Sequence, residues 1–289
     1  MLNSTSDKVF SKIRGYYNSL PSSEKKVADF VLNHYQETIR MTLADVADEC
    51  GVSDATVLRF CRSIGYHRWL EFKIDLTQAL PNAPEQILDE VNEDDSADQI
   101  ARKVFDCAIQ ALKDTLAILD ENSFQKALEL ITTADRILIV GVGTSGPMAQ
   151  EMYNRFLRLG LNCHVQTDSY LQAMQSALLT WKDLLITISQ TGDSGDPLRT
   201  TEVAKSNGCR VIIITGNTGS KLTEFADVVL LSVSHETRVE TIASRIAQYA
   251  IIHALYVGLA MQDVQSTVSK EELIWKAMMS GSDFQSTRL

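Results

Sequence analysis

Through the first eighty positions apolar residues recur at helical spacing, and strand-like alternation is nearly absent. Pro21, Ser22, Ser23 and Glu24 open a helix with Ser22 as its cap. Its apolar positions Val27, Ala28, Phe30, Val31 and Leu32 gather on one side. Residues 43–62 predict two short helices joined by a sharp corner. Val46, Ala47 and Cys50 form the inner face of the first, and the small Ala47 suits a close, steep crossing. Gly51 supplies a left-handed turn, Val52 plugs the corner and Ser53 caps the second helix. Val57, Phe60, Cys61 and Ile64 then make one buried stripe at i, i+3, i+4 and i+7. Helical spacing returns between about 98 and 133.

Beyond that point the texture changes. Short β-branched runs at 136–140, 163–166, 184–189, 211–215 and 228–231 alternate with helical stretches near 146–159, 170–179, 196–206 and 220–225. Runs that are apolar almost throughout fit strands buried on both faces. The expected fold is an all-α helix-turn-helix unit followed by an α/β unit. The latter has a five-stranded parallel sheet with helices on both faces. Ligands in such sheets bind beyond the carboxyl ends of the strands.

Taken whole, the charge of −10, from 27 basic and 37 acidic residues, argues against a nucleic-acid partner. Its distribution changes that. Residues 1–80 hold ten of each sign, while 81–98 hold seven acids and no base, together with Pro81 and Pro84. That segment predicts a linker. The expected organisation is a DNA-binding unit at 1–80, an acidic linker at 81–98, a ligand-binding unit at 99–262 and a partly helical tail at 263–289. The five cysteines are odd in number and form no CxxC, which suits buried thiols in a reducing cytoplasm rather than disulfides or zinc. The opening MLNSTSDKVF has no secretory pattern, and the apolar stretch 246–261 is broken by Gln248 and His253. It also falls short of the roughly 20 residues of a membrane span. A cytoplasmic chain without membrane contact, metal or cofactor is expected.

Candidate chemistry lies in two places. The outer face of the second corner helix carries Ala55, Leu58, Arg59 and Arg62, with Ser53, Asp54 and Thr56 at its start. Short polar groups for base edges, followed by arginines for phosphate or guanine, make a recognition helix. A helical hairpin with a solvated basic face is the plainer alternative. In the α/β region, GVGTSGPMA follows the first strand and SQTGDSGDP the third. Glycine, hydroxyls and a helix start converge there on an anion, and a compact phosphate monoester gripped from two sides fits. The first loop also matches GxGxxG through Gly141, Gly143 and Gly146, with Asp168 after the second strand, which keeps a dinucleotide site as a rival.

Together these residues resemble the RpiR family of bacterial transcription regulators, in which a helix-turn-helix precedes a sugar isomerase (SIS) domain. The resemblance spans about 11–261. It rests on SEKKVADFVL, TLADVADECGVSDATVLRFCRSIGY and WLEFKIDL, then on GVGTSGPMA, ISQTGDSGD, VIIITGNTGSKLTEFAD and ETIASRIAQYAIIHALY. It implies a sugar-phosphate ligand. Ser145 matches the family's phosphate serine, and Ser189, Gln190, Thr191 and Ser194 match the donors of the pattern S-x-[ST]-G-x-[ST]. Thr144 is similar to a sugar-contacting residue. Glu240 lies where a carboxylate often meets the sugar ring, or is simply a first-turn acid. Pro147 departs from the usual helix former and is tolerable in a first turn.

The implied function is a regulator, more in keeping with a repressor, of sugar or amino-sugar catabolism genes. Its partners would be operator DNA, a phosphorylated sugar effector and further copies of itself, as homodimer or homotetramer. Two alternatives remain. A sugar-phosphate isomerase needs a general base, for which Glu240, His235, Glu236 and His253 stand as candidates without forming a convincing acid–base pair. His253, within IIHALYV, reads as a core or interface residue. The other is a regulator that senses NAD(H) through GxGxxG. The expected enzyme activity, and with it any catalytic residue, is none.

Overall fold

The computed structural model describes residues 8–79, 95–233 and 242–279. The first part is helical: α1 Lys8–Tyr16, α2 Ser22–Asn33, α3 Tyr35–Thr38, α4 Leu43–Glu49, α5 Asp54–Ser63 and α6 Trp69–Ala79. Its core joins Val9, Phe10 and Ile13 of α1 to Val27, Val31, Val46, Ala47, Val57, Phe60, Cys61, Ile64 and Phe72. Every residue of the expected inner stripe is therefore inside. Ser22 is the first helical residue of α2 and not its cap; Pro21 holds that position.

Two further helices, α7 Ala97–Ile118 and α8 Glu121–Thr133, lead into the sheet. There β1 Ile137–Val140, α9 Gly146–Arg158, β2 Cys163–Gln166, α10 Ser169–Ser176, β3 Leu184–Ile188, α11 Gly195–Ser206, β4 Arg210–Thr215 and β5 Val228–Leu231 alternate. The expected helix near 220–225 is a 3₁₀ turn, Lys221–Phe225. Helices α12 Ile242–Gln262 and α13 Val264–Met279 follow. All five strands pair in parallel in the order β2-β1-β3-β4-β5. Alternate strand residues face opposite layers. Ile137 and Ile139 pack with Ala127, Met152, Phe156 and Leu255, while Leu138 and Val140 pack with Leu179, Ala204 and Leu222. Burial on both sides explains why the strands read as continuous apolar runs.

The expected linker falls largely on residues outside those described. Its end does not: Asp98 lies in the first turn of α7, where Ser96 forms a capping box with Gln99. Acid at a helix start is favoured by the dipole. Three cysteines, 61, 163 and 209, are buried thiols as expected, and burial pushes Cys61 up to about 12. Cys50 and Cys107 are only half-buried.

Asp183 precedes β3 and is bound by Arg136, with Nη2 to Oδ2 at 3.0 Å, and by Thr180. Burial alone would raise its pKa, but the Arg136 and Thr180 hydrogen bonds outweigh it and hold it below the ordinary carboxylate value. The unfolded chain then binds the extra proton first, so this contribution is full above that ordinary value and is lost as pH falls toward the depressed one. Asp183→Asn should flatten the acid limb of a urea-midpoint against pH curve below about pH 4. An unchanged acid limb would show that the pair carries no linkage.

Candidate functional site

Helix α4 starts at a capping box in which the Thr42 hydroxyl accepts from Asp45 N–H and the Asp45 carboxylate accepts from Thr42 N–H. Gly51 takes φ 62° at the corner, a conformation that other residues enter with strain. On α5, Ser53 stands at the N-cap and is exposed with Asp54, Ala55, Arg59 and Arg62. Thr56 departs from expectation. It is only 4% exposed, and its hydroxyl joins Ser53 Oγ at 3.0 Å and receives Arg59 Nη2 at 2.9 Å. Thr56 braces the face rather than presenting itself at base edges. Arg59 also faces Glu24 Oε1 at 3.7 Å, and that buried carboxylate accepts from Ser63 at 2.7 Å. The sequence placed Glu24 only at the start of α2 and gave no sign of this contact with α5. Glu24 helps hold Arg59 in place with the arginine side chain still 56% exposed.

In the α/β part the sheet order reverses between β1 and β3, which are neighbours leading in opposite directions to β2 and β4. Such a switch point is where crevices open. The two hydroxyl loops follow these two strands, so the fold sets them side by side. In the first, Gly143–Ser145 forms a 3₁₀ turn with Gly143 at φ 58°. Ser145 is the N-cap of α9, nearly buried at 9%, and makes no side-chain capping bond; Thr144 is exposed. Pro147 occupies the first turn of α9 as expected. In the second loop, buried Ser189 accepts from Gly192 N–H at 3.2 Å, which leaves its own proton for an acceptor. Thr191 and Ser194 are exposed, and Ser194 caps α11 without a side-chain capping bond.

Gln190 is engaged internally. Its Oε1 accepts from Gln248 Nε2 at 2.7 Å, and its carbonyl accepts from Gly216 N–H at 3.0 Å. Both bonds use Gln190 as an acceptor, so they orient its amide and leave the Nε2 group as the donor. Gln248, noticed in the sequence only as a break in an apolar run, is the buried partner that accounts for this. Gln172 does the same below the first loop, donating to the Gly141 and Gln166 carbonyls. Neither loop contains Lys or Arg, and exposed Asp193 and Asp196 sit in the second. The groups these loops could offer an anion are therefore N–H, O–H and helix-dipole donors. Glu240, His235 and Glu236 lie outside the described residues. His253 is not in the core: it is half exposed and meets Glu151 at 3.1 Å.

The dinucleotide reading loses its main supports. The sheet runs 2-1-3-4-5 and not in the 3-2-1-4-5-6 order of dinucleotide-binding folds. Asp168, the residue that reading assigns to a ribose, is accounted for as the cap of α10, where its Oδ1 accepts from Leu171 N–H at 2.9 Å.

The molecule is thus a helix-turn-helix head carried on an SIS-type α/β domain. Residues 8–83 match the family model described as a helix-turn-helix domain of the rpiR family, and residues 130–258 match the SIS domain. An HTH-type transcriptional regulator of Thermotoga maritima is 33% identical over 259 residues, 88% of this chain and 92% of that protein. Another, from Haemophilus influenzae, is 31% identical over 276 residues, 93% and 96% of the two chains. The chain belongs to the RpiR family of helix-turn-helix transcriptional regulators. Among solved structures, the Vibrio vulnificus NanR protein complexed with ManNAc-6P has the same fold, with TM-score 0.61 at 20% identity over 95% of this chain and 99% of that one. The sugar isomerase domain of an RpiR transcription factor from Sphaerobacter thermophilus has TM-score 0.58 at 22% identity, over 62% and 99%. Among the described residues no helix is long and apolar enough to cross a membrane.

Proposed function

We propose that this regulator is a cytoplasmic repressor of sugar or amino-sugar catabolism genes whose operator binding responds to a phosphorylated sugar. The observation that carries this is the pairing of two hydroxyl- and glycine-rich loops at the β1/β3 switch point, both opening onto helix starts. NanR, of the same fold, is complexed with ManNAc-6P, which supports the ligand class. The phosphate would take donors from Ser145, Ser189, Thr191 and Ser194, with Thr144 toward the sugar and Glu240 as a further candidate. Ser53, Asp54, Arg59 and Arg62 would face DNA. The expected domain limits at 80 and 98 separate the two activities. Two copies, or four, would set paired heads on a palindromic operator.

Footprinting on the DNA upstream of its own coding region, with and without each member of a sugar-phosphate panel, tests the whole reading. Absence of any site above non-specific background at physiological salt would refute it. Within that assay Arg59→Ala should weaken operator binding about tenfold or more, the cost of one good base or phosphate contact, while a ligand-induced thermal shift persists. Ser189→Ala should do the reverse, lowering ligand affinity about tenfold through loss of one donor to a charged group. Equal loss of both activities in each variant would mark these residues as purely structural.

A further inference from the structure

Among the described residues, contacts of opposite character tie the helical head to the α/β part. The first is tight. Arg14 Nη1 lies 3.0 Å from Asp114 Oδ2, with side chains 7% and 1% exposed, and Ser11 and Gln110 also donate to that carboxylate. Beside it Gly15 is so close to Ile118 that an added Cβ would meet its Cδ1 at 2.9 Å.

The second contact is the loop 216–220, which follows β4. Toward the sensor it is bonded to three successive peptides of the second hydroxyl loop. Gly216 N–H donates to the Gln190 carbonyl at 3.0 Å, Asn217 Nδ2 to that of Thr191 at 3.2 Å, and Leu222 N–H, just beyond, to that of Gly192 at 3.3 Å. Gly192 packs so closely that a Cβ there would overlap Ser220 Oγ. Toward the head the bonds are long: Asn18 Nδ2 to the Gly216 carbonyl at 3.5 Å, and Thr218 Oγ1 to Ser19 Oγ at 3.4 Å. A Cβ on Gly219 would fall 2.7 Å from Ser19 Cβ. Asn18 and Ser19 belong to the 3₁₀ turn Tyr17–Ser19, which joins α1 to α2.

We propose that the 216–220 loop transmits the state of the sugar-phosphate site to the DNA-binding head, with the Arg14–Asp114 pair as the fixed point about which the head reorients. This rests on reading 189–194 as a ligand loop. Three consecutive peptides cannot turn toward a ligand without moving the loop bonded to them. Long head-side bonds, near the limit of useful geometry, are the ones that give way. A ligand acts only through such a difference between two arrangements.

Hydrogen–deuterium exchange on the full chain tests this, with glucosamine 6-phosphate, fructose 6-phosphate and ManNAc-6P as probes. The probe that slows exchange at 189–194 should also change exchange at 17–20, by about fivefold, the lower end of ordinary coupling between sites. In Gly219→Ala, whose methyl pushes Ser19 away, the first effect should remain and the second disappear. Slowing at 189–194 with no change at 17–20 in the wild type overturns the link and leaves the ligand site standing. If no probe slows 189–194, the ligand reading fails instead, and the link is decided without ligand. Gly192→Ala drives against Ser220, and unchanged exchange at 17–20 in that variant overturns the link. Circular dichroism shows whether Gly192→Ala is folded. If it is not, Ser220→Ala, which removes the 3.1 Å bond to the Asn217 carbonyl, replaces it with the same criterion.

Discussion

Asp114→Ala is expected to destabilise the protein by about 3–5 kcal/mol, the cost of leaving a buried charge without its partner. Arg14 is 7% exposed and has no second carboxylate among its hydrogen bonds in the described residues. Its Nε is buried and already without a partner. The loss should show as a lower urea midpoint at unchanged slope. A different result is informative. If the cost is under about 1 kcal/mol, α1 has lifted from α7 and Arg14 has regained water, so the interface itself is worth no more than that. Arg14→Met with Asp114→Leu should recover most of the loss, since well-packed apolar pairs often equal buried ion pairs. The pair then serves the position of the head and not the stability of the chain. Operator affinity in the double variant measures that role.

Gly141→Ala is expected to abolish the thermal stabilisation by a sugar phosphate while costing about 1–3 kcal/mol in the free protein, the usual range for overpacking. The reason is steric. Gly141 has no positive φ, but a Cβ would lie 2.5 Å from the Ser145 carbonyl oxygen and 2.9 Å from its carbon. Both are backbone atoms, so the turn carrying Ser145 must shift. Gly143→Ala is the control. That glycine has φ 58° with open space around it, so alanine strains the backbone by about 1–2 kcal/mol without displacing Ser145. Ligand-induced shifts in Tm should therefore survive in Gly143→Ala and vanish in Gly141→Ala. Equal retention in both would remove Ser145 from the ligand site.

The elements themselves were largely legible in the sequence. Strands expected at 163–166 and 228–231 are β2 and β5 to the residue, and the other three differ by a single position at one end. The stripe Val57, Phe60, Cys61 and Ile64 is buried to the last residue. These succeeded because periodicity records which side of an element avoids water, and that record is local.

Side chains that serve two elements were not legible. Thr56 looked like part of a polar helix start, yet Ser53 and Arg59 close over it. Gln190 matched a donor pattern, but that Gln248, 58 positions away, donates to its amide oxygen and so fixes how the amide is turned was not readable. Pattern matching reads a residue's type, whereas burial depends on what another segment brings against it.

By itself the sequence determined that a helix-turn-helix precedes a parallel α/β unit, and that hydroxyls and glycines gather after two of its strands. Only the tertiary structure decided that those two strands are neighbours at the point where the sheet order reverses, which sets the two loops side by side. It alone joined Arg14 to Asp114, 100 positions apart, and so placed α1 of the head against α7. Apolar spacing is written along the chain. Which distant surfaces meet is settled only when their burial outweighs the entropy of closing the loops between them.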